Sequence, residues 1–161
     1  LHPDKTRLIE FGRHAVANRA RCGLGKPETF KFLGFVLICG KSRRGSFLIM
    51  RKTRRDRMNA TLRGIKEELQ RRRHQPIPET GAWLAQVVSG YLGYHAVPTN
   101  TAAISAFRYH VINLWQRQLG RRSQRARVVW DRMNKLVDEF IPKARVRHPW
   151  PSVRFAVRHS R

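Results

Sequence analysis

The chain has 161 residues, room for one ordinary domain or two small ones, and 41% of them are hydrophobic, too many for a wholly disordered protein. Against 34 Lys and Arg stand only 10 Asp and Glu, a net charge of +24 that strains a compact fold unless a polyanion offsets it. Nucleic acid is the first such partner and an acidic membrane surface the second. Two cysteines exclude a disulfide framework or a zinc cluster, and no apolar run approaches the ~20 residues of a membrane-spanning helix.

Arginine outnumbers lysine, which suits bidentate phosphate contacts and stacking on bases. Unpaired thiols and the lack of a signal peptide point to a reducing, cytoplasmic setting. The first residue is Leu, so the expectation is a piece of a longer protein.

In chain order, Leu1–Gly12 reads as a turn leading into a short strand through Leu8, Ile9 and Phe11. Residues 13–29 carry Gly23, Gly25 and Pro27 among basic residues and read as a loop. The Gly23-Leu24-Gly25-Lys26 run lacks the full phosphate-loop pattern. Next come two apolar runs, Phe30–Cys39 and Phe47–Met50, around a basic turn punctuated by Gly40 and Gly45. Their aromatic and β-branched content predicts a β-hairpin with an apolar body and a positive tip at Lys41, Arg43 and Arg44. Arg51 and Lys52 extend the charge, and no acid occurs from Thr29 to Arg55.

From about Thr53, a plausible N-cap, the period changes. Met58, Leu62, Ile65 and Leu69 fall on one helical face, with Arg54, Arg55, Arg57, Arg63 and Lys66 on the others. Pro76 and Pro78 are expected to end this helix. A second helix starts at Glu79-Thr80-Gly81 and carries Trp83, Leu84, Val87, Val88 and Tyr91. Its Ser89, Gly90 and Gly93 would permit close helix contact. A third, capped by Thr99 or Asn100, presents Ile104, Phe107, Val111, Leu114 and Trp115, and ends at Gly120. A basic connector with Arg121, Arg122, Arg125 and Arg127 leads to a fourth, with Val129, Trp130, Met133, Leu136, Val137 and Phe140 apolar and Pro142 closing it. The tail to Arg161 reads as extended and partly mobile. The fold class is therefore α+β, mainly α: a short β-hairpin followed by a bundle of three to four helices.

Chemistry is sparse. The adjacent acids Glu67-Glu68 and Asp138-Glu139 lie beside basic residues on helices, where surface ion pairs account for them. Seven histidines form no H-x-x-x-H or H-E-x-x-H spacing, and no nucleophile elbow is present. Arg71-Arg72-Arg73 at a helix end is served equally by the helix dipole or by a ligand. Lys41, Arg43 and Arg44 at the hairpin tip have no such structural excuse, and neither has the Arg121–Arg127 cluster, so phosphate contact is the stronger reading there.

Leu1-His2-Pro3-Asp4-Lys5-Thr6, Phe30-Lys31-Phe32-Leu33-Gly34-Phe35, Gly90-Tyr91-Leu92-Gly93-Tyr94-His95 with Trp115, and Arg122-Ser123-Gln124-Arg125 through His148-Pro149-Trp150-Pro151 resemble, in order and spacing, the C-terminal part of bacterial group II intron-encoded reverse transcriptases, the maturases. The resemblance implies a palm edge with the primer grip over 1–52, a helical thumb or maturase-specific domain over 53–142, and a basic tail over 143–161. Lys5 would contact the incoming nucleotide's phosphates, and Phe32, Leu33, Gly34 and Phe35 would form the primer grip. The family's Tyr-Ala-Asp-Asp metal-binding motif is not in this sequence. The chain is thus expected to hold no cofactor and to be inactive alone, Mg²⁺ belonging to the intact polymerase.

The implied partners are group II intron RNA, an RNA–DNA hybrid and the remaining palm and fingers. The implied role is support of intron splicing and of template–primer during RNA-directed DNA synthesis. About six phosphate contacts would give a log–log salt slope of −4 to −5. The alternative is a free-standing basic structural protein that binds RNA or DNA. A membrane-surface protein would need exposed apolar helix faces, whereas these faces look matched to one another.

Overall fold

The computed structural model describes residues 6, 8–122, 129–151 and 153–154. Lys5, Arg125, Arg127 and the end of the tail lie outside the described residues. The fold is α+β: among the described residues there are five helices and one three-stranded antiparallel sheet, in two compact units, Leu1–Arg54 and Arg55–Arg161.

In the first unit no strand forms over residues 8–11, and Leu8 is fully exposed. Instead Phe11 sets its ring edge-on to Phe30, 4.8 Å between centroids, and the chain turns at Gly12 into helix α1, Ala15–Arg21. This helix replaces the expected loop. Gly23, at φ +67°, is its terminator: the Leu24 amide donates to Arg19 O and the Gly23 amide to Ala20 O, the paired bonds of a left-handed helix cap. Seven residues with one buried side chain, Ala15, leave too little apolar stripe to announce a helix.

The predicted hairpin is a sheet of three strands, β1 Phe30–Phe32, β2 Phe35–Lys41 and β3 Phe47–Thr53, in the order β1-β2-β3. Phe32 pairs with Phe35, so Leu33 and Gly34 alone make the first turn, at φ +43° and +78°. Both central residues thus have positive φ, the primed geometry whose twist matches the strands. The second turn closes through Gly45 N to Ser42 O at 3.0 Å and Ser42 N to Ser46 O at 2.7 Å, with Gly45 at φ +80°. Apolar side chains lie on both faces of the sheet and none is fully buried.

The second unit holds the hydrophobic core. Helices α2 (Arg55–Arg71), α3 (Ile77–His95), α4 (Thr101–Gly120) and α5 (Trp130–Phe140) enclose Ile65, Leu69, Leu84, Val88, Phe107, Val111, Trp115, Met133 and Val137, among others. The predicted stripe of α2 is observed, and Thr53, just before the helix, is the last residue of β3. Pro78 does not end a helix but occupies the first turn of α3, where a missing N–H costs nothing. Tyr91 stacks on Phe107, with centroids 3.5 Å apart and planes 10° apart.

The close helix contact is made not by Gly90 or Gly93, which face open space, but by Gly81, which lies under the Phe140 ring. Asn100 opens α4 but makes no side-chain cap there. Its Nδ2 donates to His95 O at 2.8 Å and so closes the end of α3. Val129 and Trp130 are exposed, because α5 buries only Met133 and Val137 deeply.

The start of the tail is extended, as expected, and tied down. Arg147 N and His148 N donate to Ala96 O, at 2.9 and 3.3 Å, and the His148 ring meets Gly93 O at 2.6 Å. Among the described residues, no helix is long and apolar enough to cross a membrane.

Candidate nucleic-acid interface

Helix α2 turns Ile65 and Leu69 into the core, and α4 turns in Val111 and Trp115. The residues one step around each helix then face each other across a groove of about 560 Å³. From α2 come Asn59, Leu62, Arg63 and Lys66. From α4 come Tyr109, His110, Asn113, Leu114 and Arg117. The spacing of three and four places each set on one strip of its helix. Leu62 and Leu114 are half-buried and form the floor.

Among the described residues, three full positive charges line this groove and no carboxylate does. Tyr109 is 63% exposed, with its ring 5.7 Å from that of His110. The Asn113 amide donates to Tyr109 O at 2.8 Å, which fixes its side chain along the helix. The arrangement offers cations for phosphates, an aromatic face for a base or sugar, and amides for hydroxyls.

The residues singled out from the sequence fall in several places. Lys41, Arg43 and Arg44 are exposed at the second turn of the sheet, Lys52 is exposed on β3, and Arg51 is half-buried. At the first turn Phe32 and Leu33 are exposed, while Gly34 O accepts from Arg54 N at 2.9 Å and ties the turn to the end of β3. Arg55 and Arg57 are exposed in the first turn of α2, where a cation opposes the helix dipole. An anion bound there would relieve that opposition.

Arg121 is exposed, whereas Arg122 is half-buried and donates to Gln75 O at 2.7 Å. Arg122 therefore closes the α2–α3 connection. Two members of the Arg71-Arg72-Arg73 triplet are engaged as well, with a carboxylate. Glu68 accepts from Arg72 at 2.7 Å and from Arg71 at 3.2 Å, and Arg72 also lies 4.9 Å over the Trp83 ring. The Arg72 hydrogen bond, with Arg71 adding to it, holds the Glu68 carboxyl below its ordinary range. Arg108 donates to Pro142 O at 2.9 Å, behind the C-terminus of α5. Several arginines are thus structural, and the groove cations are not among them.

The groove itself was only half visible in the sequence. Arg63 and Lys66 stand out as charge on a helix, but nothing links them to Tyr109, Asn113 and Arg117 until α2 and α4 are brought together. The recoverable signal was the second strip of α4, polar at 109, 110, 113 and 117 beside an apolar stripe.

Among the described residues, no three His, Cys, Asp or Glu side chains come together as a metal site. No family model, no curated protein and no solved structure matches the chain.

Proposed function

We propose that the chain is an RNA-binding thumb and maturase region of a group II intron reverse transcriptase. In this role it supports intron splicing and holds template–primer for a polymerase whose metal-binding carboxylates lie elsewhere in the protein. The carboxylate-free groove between α2 and α4, with Arg63, Lys66 and Arg117, carries the reading. An A-form duplex is recognised through phosphates, 2′-hydroxyls and shape, and a cationic helical groove with amides and one aromatic ring meets those demands. The net charge of +24 and the exposed aromatic turn at Phe32-Leu33 support it, as does the order of an antiparallel sheet followed by a helical bundle.

The test is binding of an RNA duplex, an RNA–DNA hybrid and a B-form DNA duplex of one length across a salt series. The expected result is preference for the two A-like duplexes, with a steep log–log slope. The Arg63→Ala/Lys66→Ala/Arg117→Ala variant should flatten that slope by about 2 to 3. An unchanged slope and affinity in that variant removes the groove from the interface. Equal affinity for B-form DNA favours a free-standing basic binder instead.

A further inference from the structure

The first unit contains a concavity of its own, about 670 Å³, walled by α1, the segment leading into β1 and the β2–β3 hairpin. Val16, Pro27, Ile38, Phe47 and Met50 give it an apolar lining. Met50 lies across Gly40, where a Cβ would sit 2.8 Å from the thioether methyl. Glycine at that position lets Met50 settle against the strand. Three cations, Arg13, Lys26 and Lys41, stand in the same lining, with no carboxylate among its described residues.

The acids described in this unit, Glu10 and Glu28, lie outside the lining. Among the described residues, none of the three cations is held in an ion pair. Cys39 also lines the cavity, its Sγ accepting from Gly12 N at 3.4 Å.

Each half of this lining selects against a simpler ligand. A bare phosphate gains nothing from five apolar side chains. An uncharged apolar molecule leaves the three exposed cations of the lining without a counter-charge. A concave apolar site with a few convergent polar groups is the usual form of a small-molecule pocket. We propose that this cavity binds a small amphipathic organic anion, its aromatic or acyl body against Val16, Ile38, Phe47 and Met50 and its acidic head at Arg13, Lys26 and Lys41. The proposal does not rest on the RNA-binding reading: Arg13 and Lys26 have no part in that interface, and Lys41, which the two share, is left unsubstituted in the test.

The test uses the full chain with 8-anilinonaphthalene-1-sulfonate and its uncharged counterpart, N-phenyl-1-naphthylamine. Fluorescence is read for binding, and the alkylation rate of Cys39 for position, with exposed Cys22 as the internal reference. The expected result is one saturable site per chain, with Cys39 alkylation slowed by either dye and Cys22 unaffected. Arg13→Gln/Lys26→Gln should weaken the sulfonate at least tenfold and the neutral dye less than twofold, while Lys143→Gln/Arg145→Gln should change neither.

Dodecanoate and adenosine monophosphate, as competitors, distinguish an acyl carboxylate from an aromatic phosphate. Displacement by one names the source, and displacement by neither overturns the proposal. It is overturned equally if Cys39 alkylation is unchanged at saturating dye, or if both charge variants weaken the sulfonate alike. The Cys39 readout is made on the unsubstituted chain and so holds even if a variant fails to fold.

Discussion

Gly81 lies against the face of Phe140 so closely that a Cβ built on it falls 2.6 Å from the ring. The only residue that fits there is the one without a side chain, and the α3–α5 contact is set by it. Gly81→Ala is expected to destabilise the protein by about 1 to 2 kcal/mol, the overpacking cost less the helix preference for alanine. Gly90→Ala, in the same helix but facing open space, is expected to stabilise by about 0.5 to 1 kcal/mol. Chemical denaturation of the two variants measures both, and equal effects would mean that the Phe140 contact does not constrain α3.

Leu33 poses the opposite case. It holds φ +43° in a two-residue turn that asparagine or glycine would enter more easily, and its side chain is 68% exposed. A non-glycine residue in this region costs on the order of 1 kcal/mol or more, and such strain clusters at functional sites. Leu33→Asn should therefore raise stability by about 0.5 to 1 kcal/mol, read by thermal melting and by slower amide exchange across Phe32 and Phe35. In the proposed function, where this apolar tip touches nucleic acid, the same variant should weaken RNA binding. A variant that gains stability with no loss of affinity would make Leu33 a passive turn residue.

How far the sequence disclosed these features follows from the range of the forces involved. Helical stripes such as Met58–Leu69 and Ile104–Trp115 are local and periodic, so α2 and α4 were legible as helices, α4 nearly to its ends, whereas α2 stops at Arg71, short of the expected Pro76. The Leu33-Gly34 turn was not, because two apolar runs read as one hairpin and leucine is a poor advertisement for positive φ. Nor was α1, whose stop signal at Gly23 looked like loop composition. Tertiary contacts were least legible. Gly90 and Gly93 had the right residue type for close packing, yet Gly81 makes it. Arg122 and Arg72 had the charge for phosphate, yet one closes a chain connection and the other binds Glu68. Of the proposed groove only the Arg63 and Lys66 side was visible, since the opposing strip of α4 gains meaning only beside α2.

His95, at the end of α3, is partly buried beside the Tyr91 and Tyr94 rings, 4.3 and 4.9 Å away. Burial lowers its pKa from the ordinary 6.5, because the charged form loses hydration. The unfolded chain then takes up the proton first. Stability that is complete above pH 6.5 is lost as pH falls from there toward the depressed folded value, and levels off below it. Glu68, whose pKa is lowered from 4.5, adds a separate loss only at more acid pH. Denaturation at intervals between pH 8 and pH 5 should show the first decline, and His95→Gln should flatten it. A decline that persists in that variant would assign it to another group.

Tyr109 offers the sharpest separation between a charge-only groove and one that also reads an RNA surface. It is exposed on α4 and contributes nothing to the buried core, so Tyr109→Ala should leave the melting temperature nearly unchanged. If its ring stacks on a base or sugar, the substitution removes about 1 to 3 kcal/mol of binding, a five- to 150-fold loss at any one salt concentration. Because no phosphate contact is lost, the salt slope should stay where it is, unlike in the Arg63/Lys66/Arg117 variant. Tyr109→Phe keeps the ring and should retain most of the affinity. Equal losses in the alanine and phenylalanine variants would shift the role of Tyr109 from stacking to its hydroxyl. Undiminished binding in both would leave the groove as an electrostatic surface alone.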